Sequence, residues 1–558
     1  MQLIFRQRYF SYIFLLIFSL AGCQRVQSFN QRPAPLPQDP LVQVYFNHSE
    51  SSEYKEAYRQ QTRLGDDLEK QIVNAIMHAE STIDVAVQEL RLPKVAQALV
   101  DRQKAGVKVR IILENNYSRP WSSLTSAEVT KLDKREQERY NEFRKFIDIN
   151  QDNQLSPAEI NQRDALIILQ NAKIPWIDDR ADGSAGSSLM HHKFVIVDNR
   201  IVIITSANFT LSDTYGDFTN SNTLGNANNL LQIDSPELAS LFTEEFNIMW
   251  GDGPEGKPDS RFGLQKPMRS RSVSEGHSPK KIRLNQTTIT VQFSPTSPTE
   301  PWSNSSNGLI GKTLDSATKS VDMALFVFSD QRLANILENR HQQNVQIRAL
   351  IEPQFAYRPY SEALDMMGVT LSNKCKYEVD NNPWQNPITT VGVPVLPKGD
   401  LLHHKFGVID SQTVITGSHN WSDAANNGND ETLVVIENPI VAAHYVREFA
   451  RLYAKVKPGL PPAIQEKVKL EQTRCPQIKS SSSSEVQAIK QININTASLE
   501  ELETLPGAGK KLAQQIILSR QQQKFTSLQD LERVPGVKAK TLEKWRVGVA
   551  RRRHRVIW

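Results

Sequence analysis

Two short stretches of the 558-residue chain are nearly identical, "HHKFVIVD" at 191–198 and "HHKFGVID" at 403–410. Each supplies a histidine, a lysine two residues later and an aspartate five residues after that. Side chains two residues apart in a strand share a face, so each imidazole lies beside its ammonium group. A fixed cation binds a phosphate while the imidazole attacks phosphorus or transfers a proton. The pair predicts phosphoryl chemistry with six candidate catalytic residues: His191, Lys193, Asp198, His403, Lys405 and Asp410.

The repetition extends well beyond these stretches. Thr82–Glu114 aligns without gaps to Ser320–Glu352 at an offset of 238 residues, and charged residues such as Asp84 recur in register. Both segments show the apolar periodicity of a strand, a helix and a second strand. Two unrelated α/β segments would not keep their charged residues in register. We therefore predict a duplicated α/β domain that covers 42–252 and 288–456.

The residues that follow each aspartate complete a longer pattern, "TSAN" at 205–208 and "GSHN" at 417–420. The whole resembles the phospholipase D superfamily, whose signature H-x-K-x4-D-x6-G-S-x-N is used twice. The resemblance implies two α/β sandwich halves that face each other across a pseudo-twofold axis and share one active site. One histidine forms a phosphohistidine, and the other protonates the leaving oxygen and then activates water. The lysines hold the phosphoryl oxygens without a metal or other cofactor, together with Ser206, Asn208, Ser418 and Asn420.

The two histidines are not equivalent in sequence. Glu431, in "NDE", matches the carboxylate that orients a histidine in nuclease-like members of the superfamily. Its first-half counterpart is Asn228, unless Asp217 serves instead. Family habit makes His191 the nucleophile and His403 the general acid, whereas a position of Glu431 beside His403 favours the reverse.

Some neighbouring positions depart from the signature or lie outside it. In the first copy of the signature, Thr205 occupies the position where the family has glycine. The adjacent His192 and His404 are expected to serve in packing or hydrogen bonding.

The first half carries 26 more residues than the second between the aligned strands and the histidine stretch. This interval contains "DINQDNQLSPAE" at 148–159, which resembles an EF-hand calcium loop. Asn153 replaces the usual glycine at position 6 and tolerates left-handed φ. An acidic surface turn is the alternative, and a lone EF-hand lacks its usual pairing partner. The candidate calcium ligands are Asp148, Asn150, Asp152, Gln154 through its carbonyl, Ser156 and Glu159.

The N-terminus predicts export. Arg6 and Arg8 precede an apolar run of twelve residues, Tyr9–Leu20, which is too short to span a bilayer comfortably. The run ends in "LAGC", which resembles a bacterial lipobox with Cys23 as the lipidated residue. A plain signal peptide or an uncleaved anchor is the alternative. The resemblance implies an extracytoplasmic protein of the bacterial cell envelope, attached to a membrane by a lipid.

The three cysteines exclude a disulfide-rich scaffold and a cysteine-based structural zinc site. Cys375 and Cys475 could pair outside the cytoplasm, but their spacing does not decide this.

A distinct basic module follows a serine-rich linker. "LPGAGKKLA" at 505–513 and "VPGVKAKTL" at 534–542 each place Pro-Gly in a turn followed by lysines, which resembles paired helix-hairpin-helix motifs of competence-type DNA receptors. Turn amides and helix N-termini bind phosphate without reading sequence. The segment 491–558 has 13 Lys and Arg against 6 Asp and Glu, so its net charge is +7 within a chain of +5. A protein-binding helical bundle is the alternative. The candidate DNA-binding residues are Gly507, Gly509, Lys510, Lys511, Gly536, Lys538 and Lys540.

The predicted fold class is α/β, with a duplicated phospholipase D-like sandwich and a small all-α helix-hairpin-helix domain. We expect a monomer, because both halves lie in one chain. The predicted segments are a lipoprotein signal at 1–23, a Pro-rich tether at 24–41, the first half at 42–252 with an EF-hand-like insertion at about 126–165, a basic linker at 253–287, the second half at 288–456, a Ser-rich linker at 457–490 and the C-terminal module at 491–558.

Three functions are compatible with this pattern. The first is a surface-anchored nuclease that hydrolyses phosphodiester bonds of DNA held by the C-terminal module. The second is a phospholipase D that releases head groups from phospholipid. The third is a non-catalytic DNA-capture lipoprotein, against which the two intact His-Lys motifs argue.

Overall fold

A computed structural model describes residues 32–181, 184–254, 256–266, 279–378, 380–475, 490–505, 508–525, 529–537 and 554–557. The predicted lipidation site Cys23 lies outside the described residues, as do Gly507, Lys538 and Lys540 of the predicted DNA-binding set. None of the helices in the described part of the chain has both the length and the apolar character needed to cross a bilayer.

The first half is built on a seven-stranded sheet in the order β1-β10-β9-β8-β4-β5-β6. Strands β4, β5 and β6 run parallel to one another, and the remaining neighbours are antiparallel. The central strands are continuous apolar runs, because both faces of the sheet are covered. The strands up to this point are β1 (Val42–Phe46), β2 (Glu53–Lys55), β3 (Thr62–Leu64), β4 (Thr82–Val87), β5 (Lys108–Leu113), β6 (Trp176–Asp178), β7 (Leu189–Met190), β8 (Lys193–Val197), β9 (Ile201–Thr205) and β10 (Asn229–Asp234).

Helices pack on both faces of this sheet. The helix between β4 and β5 follows the apolar spacing seen in the sequence and buries its alanine, valine and leucine side chains. The helices of the first half are Leu68–Met77, Pro93–Lys104, Ser126–Val129, Lys134–Ile147, Pro157–Arg163, Ala165–Asn171, Leu211–Thr214 and Pro236–Trp250.

The second half repeats this arrangement. Its main sheet has the order β11-β12-β20-β18-β17-β13-β15-β16. Its strands are β11 (Lys280–Leu284), β12 (Thr287–Ser294), β13 (Ser320–Leu325), β14 (Phe328–Ser329), β15 (Gln346–Ile351), β16 (Val391–Gly392), β17 (Lys405–Ile409), β18 (Thr413–Gly417), β19 (Trp421–Ser422) and β20 (Asn429–Glu437). Its helices are Ser306–Asp315, Gln331–Gln342, Pro353–Ala356, Glu362–Met366, Asp423–Asn427 and Pro439–Tyr453.

Charged residues that recur in the sequence make the same contacts in both halves. Arg110 forms a bidentate pair with Asp84, with both N–O distances at 2.7 Å, and Arg348 does the same with Asp322. Each arginine also stacks on a phenylalanine of the long helix that covers its sheet. The pairs hold the two parallel strands of each half in register, which explains why the charges recur.

The two halves share one core. A single apolar cluster takes buried side chains from both sheets and from both long covering helices, including Phe194, Phe242, Phe406 and Phe449. The halves therefore fold against each other and not as separate domains on a string.

Several predicted boundaries differ from the structure. The second sheet begins at Lys280 in β11, inside the predicted basic linker, because β11 pairs with β12 as an edge hairpin. The predicted Ser-rich linker begins with the helix Pro462–Arg474. A disulfide joins Cys475 at the end of this helix to Cys375 in the second half, and so closes a loop of 100 residues.

The described end of the predicted tether is docked on the second half. Arg447 donates to the Ala34 carbonyl at 2.7 Å, and Asn438 donates to the Asp39 carboxylate at 2.9 Å. Since β1 follows immediately in the first sheet, this segment straps the two halves together.

The C-terminal module has its own apolar cluster around Leu502, Ala513 and Ile516. Its described helices are Leu499–Glu503 and Lys510–Gln522, with a 3-10 helix at Gln529–Arg533. Besides these helices, the module contains one short strand pair, in which β21 (Lys490–Asn493) and β22 (His554–Ile557) run in parallel.

The start of the inter-half linker is anchored in the interior by Lys266. Its ammonium group lies 2.6 Å from Glu245 and 2.7 Å from Asp430, and donates to the Ser294 carbonyl at 2.8 Å. Burial opposes the charge, but Asp430 and Glu245 prevail and raise the pKa of Lys266. With His192, these carboxylates form the one group of three metal-ligand-type side chains found among the described residues, and the ammonium group of Lys266 already binds both carboxylates.

We predict that Lys266→Met destabilises the protein by about 3–5 kcal/mol, because it leaves two carboxylates buried without their cation. Urea unfolding of the full chain measures the change. Lys257→Met, an exposed lysine of the same linker, is the matched control and should shift stability by less than about 0.5 kcal/mol. Equal stabilities of the two variants would contradict the anchoring role.

Candidate active site

The two histidine stretches meet because each is bound by the opposite half. Strand β7, just before His191, pairs in parallel with the start of β20 in the second half. The His191 amide donates to the Asp430 carbonyl at 2.9 Å. In the pseudo-symmetric contact, Leu402 bridges to Ala227, and the His403 amide donates to the Ala227 carbonyl at 3.1 Å. Each histidine is thus carried by one half and aligned by the other.

Two recurrent glutamates fix the backbone at the same points. Glu114 accepts a hydrogen bond from the Met190 amide at 2.7 Å, and Glu352 accepts one from the Leu402 amide at 2.8 Å. Burial, with Asp179 nearby, raises the pKa of Glu114 to about 7, and burial also raises the pKa of Glu352. Sequence reasoning noted that these glutamates recur but assigned them no role in the site.

Glu431 orients His191 and not His403, so the expectation that it lies beside His403 was wrong. Its Oε2 lies 2.7 Å from His191 Nδ1, across the interface between the halves. His403 Nδ1 instead lies 3.0 Å from the amide oxygen of Asn228. Strand β20 reaches over to β7, and that crossing delivers Glu431 to the first-half histidine. Among the described residues no hydrogen bond or ion pair joins the Asp217 carboxylate to either histidine, and this carboxylate lies beside Gly399 instead.

These partners set the tautomers of both rings. A carboxylate can only accept, so His191 donates through Nδ1–H and keeps Nε2 as a free lone pair. The Asn228 amide nitrogen donates to the Asp213 and Asn226 carbonyls at 3.0 and 3.1 Å, so its oxygen faces His403. His403 therefore also donates through Nδ1–H, and Nε2 is the reactive nitrogen of each ring.

A second carboxylate stands behind Asn228. Asp213 is 3% exposed, and its Oδ1 lies 3.8 Å from His403 Nδ1. The sequence offered no signal for it, because the aligned position in the second half is Ala425. Each histidine thus has a buried carboxylate, in direct contact for His191 and behind an amide for His403.

The two predicted phosphate-binding serines are already engaged. Ser418 donates to Glu431 Oε2 at 2.6 Å, and Ser206 donates to the Asn228 amide oxygen at 2.7 Å. Both hydroxyl groups also accept a backbone N–H, from Thr432 and Asn229 respectively. They position the partners of the histidines and are not free to hold a phosphoryl group, which corrects their predicted role.

The predicted asparagine ligands remain available. The side-chain oxygens of Asn208 and Asn420 are buried and have no hydrogen-bond partner in the structure. Thr205 differs from its counterpart Gly417 for a local reason. Gly417 has a φ of +139° and a Cβ there would lie 2.2 Å from the Thr432 carbonyl oxygen, whereas the Thr205 hydroxyl donates to the Asn229 carbonyl.

Both lysines are buried at 1% exposure and held by their own strands. Lys193 donates to the His191 carbonyl at 2.9 Å, and Lys405 donates to the His403 carbonyl at 2.8 Å. Burial lowers the pKa of Lys193 to about 8 and, with repulsion from Lys193, the pKa of Lys405 to about 7. A phosphodiester anion between these two ammonium groups would restore their full charge.

The two lysines also shift the pKa values of the two histidines beside them. Burial first, and then the charges of Lys193 and Lys405, hold the pKa of both His191 and His403 well below the usual range. Both rings are therefore neutral at pH 7 before an anion binds. A neutral imidazole with a free Nε2 is a competent nucleophile.

Asp198 and Asp410 do not reach the histidines, so their predicted catalytic role was wrong. They stand at the far ends of β8 and β17, about 16 Å along the strand from the lysines. Asp198 accepts from the amides of Glu80, Ser81 and Thr82, and Asp410 repeats this at residues 318–320. Burial opposes the shift, but these amides lower the pKa of both carboxyl groups. The two aspartates cap the start of β4 and of β13.

The second histidine of each stretch lies in the shared core. His192 Nδ1 lies 2.8 Å from the Thr432 hydroxyl group, and His404 Nε2 lies 3.1 Å from the Glu448 carboxylate. Both are completely buried, so their rings pack and hydrogen-bond behind the site.

The EF-hand-like loop lies between the helices Lys134–Ile147 and Pro157–Arg163, outside the duplicated sheets. Asn153 has a φ of +62°, which matches the left-handed turn that position 6 requires. The carboxylates hold the loop's own amides, with Glu159 accepting from Ile149 at 2.8 Å and from Ser156 at 2.9 Å. Within the described residues, Asp148, Asp152 and Glu159 do not gather into one ligand group. In this structure the carboxylates of Asp148 and Glu159 therefore bind backbone amides of the loop itself.

Part of the predicted DNA-binding set lies in the described part of the C-terminal module. Lys510 and Lys511 are exposed at the first turn of the helix Lys510–Gln522, directly after Gly509 as its N-cap. Gly536 has a φ of +98°, the conformation that glycine favours in such a turn. The two lysines therefore add positive charge at a helix N-terminus.

Comparison with known proteins identifies two families. The family described as "Cardiolipin synthase, PLD-like domain" matches residues 72–250 and 310–453, which are more than half of the chain. The helix-hairpin-helix motif matches residues 487–548.

Curated relatives match a smaller part of this chain than the family model does. A mitochondrial cardiolipin hydrolase of Mus musculus is 26% identical over 160 residues, which are 28% of this chain and 62% of the relative. A phospholipase D of Rickettsia felis is 25% identical over 140 residues, 25% of this chain and 60% of the relative. The chain thus spans about six tenths of the length of the curated relatives it matches.

Matches among solved structures include the phospholipase D family member Nuc from Salmonella typhimurium. It is 20% identical, with a TM-score of 0.24 over 32% of this chain and 100% of that one. Phosphatidylserine synthase of Haemophilus influenzae is 12% identical, with a TM-score of 0.45 over 82% of this chain and 98% of that one. The family model matches both halves, and each half carries one His-Lys motif that the opposite half aligns. The chain therefore belongs to the phospholipase D superfamily.

Proposed function

We propose that this protein is a phosphodiesterase that hydrolyses nucleic acid through a phosphohistidine on His191. The observation that carries the proposal is the buried pair of crossed histidines, in which Glu431 of one half holds His191 of the other at 2.7 Å. The neutral Nε2 of His191 attacks phosphorus, and the bond to the leaving oxygen breaks. His403 Nε2–H, protonated once the anion has offset the repulsion of the lysines, gives its proton to that oxygen.

The second step reverses the roles. His403, now neutral, takes a proton from water, and the resulting hydroxide attacks phosphorus on the face away from His191. The N–P bond breaks, a phosphomonoester leaves, and both rings return to their starting state. Lys193 and Lys405 hold the phosphoryl oxygens in both steps, so the chemistry draws on ammonium groups of the chain itself.

Nucleic acid is the substrate class that the rest of the chain favours. The helix-hairpin-helix match and the net charge of +7 lie together in the segment beyond residue 490. Such a module would keep a polyanion near the site without regard to sequence. The Cys375–Cys475 disulfide fits an oxidising compartment and supports the proposal of an anchored, extracytoplasmic enzyme of the bacterial envelope.

Head-group release from phospholipid is the second candidate, and the names of the relatives favour it. Purified protein lacking residues 1–31, incubated with single-stranded DNA and with cardiolipin vesicles, separates the two candidates. DNA cleavage without phosphatidic acid formation is expected. Phosphatidic acid without DNA cleavage would replace the proposal with the phospholipase, and binding of DNA with no product from either substrate would leave the DNA-capture protein.

We predict that His403→Ala retains one turnover on a p-nitrophenyl phosphodiester and none on an alkyl diester. The p-nitrophenolate leaves without a proton, so His191 can still be phosphorylated, but no base then activates water. A burst of about one p-nitrophenolate per enzyme, measured by stopped flow, is the expected readout. His191→Ala should give neither burst nor turnover, and a burst from this variant would contradict the assignment.

We predict that Glu431→Gln lowers kcat by about 100-fold or more, because it removes the charge that fixes the His191 tautomer and stabilises phosphohistidine formation. Steady-state assays with unchanged thermal melting isolate this effect from folding. Asp217→Asn is the matched control and should keep wild-type kcat. If both variants behave alike, the cross-half contact has no catalytic role.

We predict that loss of residues 491–558 weakens DNA affinity and leaves hydrolysis of a small diester unchanged. Fluorescence titration at several salt concentrations measures both Kd and its salt slope. Lys510→Ala with Lys511→Ala should flatten that slope by about 0.9 for each lysine that contacts a phosphate. Lys467→Ala with Lys469→Ala removes the same charge from the exposed side of the helix Pro462–Arg474 and is the control. Equal slopes in both double variants would exclude the module as the DNA handle.

We further propose that Asp148–Glu159 binds Ca²⁺ as a stabilising ion. Calcium should raise the melting temperature by mass action, and Glu159→Gln should remove that rise. Activity should persist in EDTA, since the loop lies outside the duplicated sheets. Loss of activity in EDTA without unfolding would contradict this division of roles.

A further inference from the structure

The walls of the site differ beside the two lysines. Gln88 and Phe326 occupy equivalent positions, because the Gln88 amide donates to the His192 carbonyl and the Phe326 amide to the His404 carbonyl, at 3.1 and 2.8 Å. In the first half the Gln88 side chain accepts from Lys193 at 3.1 Å. In the second half Lys405 lies 4.9 Å from the Phe326 ring centre. One wall is therefore polar and the other aromatic.

The aromatic wall begins at His403 and extends outward. The Phe326 ring lies 4.9 Å from the His403 ring, and the Phe355 ring follows at 4.8 Å from Phe326. Both phenylalanines are partly exposed. The first-half residue aligned with Phe355 is Tyr117, whose ring is covered by the Arg139 guanidinium at 5.6 Å. The second half thus presents two phenylalanine rings, whereas the first half has a glutamine and a tyrosine ring covered by a guanidinium group at the equivalent positions.

The chemistry assigns this wall to the leaving group. In-line displacement puts the leaving oxygen opposite His191 and next to His403, so the group attached to that oxygen lies against Phe326 and Phe355. We propose that these two rings form a leaving-group subsite that takes a flat aromatic group, the base of the departing nucleoside. This proposal rests on the proposed nuclease function and names which arm of the substrate is recognised.

The same wall fits the leaving group of head-group release poorly. A small polar alcohol would gain little from two aromatic rings. A quaternary ammonium head group binds aromatic faces, but Lys405 already lies over Phe326 and would repel a second cation. A neutral base stacks on an aromatic ring and meets no such repulsion.

The experiment uses a thymidine dinucleotide and two analogues, each of which lacks the base on one of the two sugars. Product analysis shows which sugar departs. We expect Phe355→Ala to lower kcat/KM on the dinucleotide about tenfold or more, mainly through KM, as for loss of one stacked base. On the analogue whose departing sugar has no base, the variant should equal the wild type within about twofold. Phe355→Trp should restore the preference for the base.

Tyr377→Ala is the matched control, because Tyr377 is an aromatic residue that is 39% exposed and lies two positions after the disulfide-bonded Cys375. A loss of equal size on the dinucleotide and on both analogues, or no loss on any of them, would overturn the subsite. If the wild type cleaves no dinucleotide or single-stranded DNA but releases head groups, the proposed function fails, and the subsite fails with it. If the wild type cleaves DNA but the kcat/KM lost in Phe355→Ala does not depend on the base of the departing sugar, only the proposed subsite is wrong.

Discussion

The hydrogen bond between Glu431 and His191 joins the two halves of this protein at the reacting centre. It exists because β20 of the second half pairs with β7 of the first, next to the catalytic strand. The mirrored contact, Ala227 with His403, closes the arrangement. Neither half contains a complete histidine with its partner, so the active site depends on the shared core that holds the halves together.

Burial of charge is the second constraint on the site. Two lysines, two histidines and the carboxylates of Glu431 and Asp213 share an interior in which each is almost fully covered. Burial lowers the pKa of both lysines and raises the pKa of Glu431, so the site by itself carries less charge than its composition suggests. Under the proposed function, a bound phosphodiester would supply the missing negative charge and make the ammonium groups effective where charge develops in the transition state.

The asymmetry between the halves follows from small changes on a repeated scaffold. Glu431, the partner of His191, corresponds to Asn228, the partner of His403, and Phe326 of the second half corresponds to Gln88 of the first. Under the proposed mechanism, the carboxylate favours a positively charged, phosphorylated His191, whereas the amide leaves His403 freer to release a proton. Duplication thus provides two copies of one motif, and in the proposed mechanism the substitution at the second partner separates nucleophile from acid.

The sequence predicted the features that the two halves share and missed the contacts that run from one half to the other. The offset of 238 residues identified the duplicated fold, and spacing along a strand placed each histidine beside its lysine, because both depend on local periodicity. Which histidine Glu431 contacts depends on the pairing of β20 in the second half with β7 in the first, and no local sequence pattern encodes that pairing. The same limit applies to Asp198 and Asp410, whose role as backbone caps depends on the loops before β4 and β13. Asp213 has no counterpart in the repeat and so left no signal at all.

The covalent intermediate tests this account most directly. Wild-type protein is mixed with a radiolabelled single-stranded oligonucleotide and quenched in alkali, where an N–P bond survives. The labelled peptide is then identified by mass spectrometry. The account predicts phosphate on the peptide that contains His191, the ring held by Glu431 from the other half. Label on the His403 peptide would contradict it.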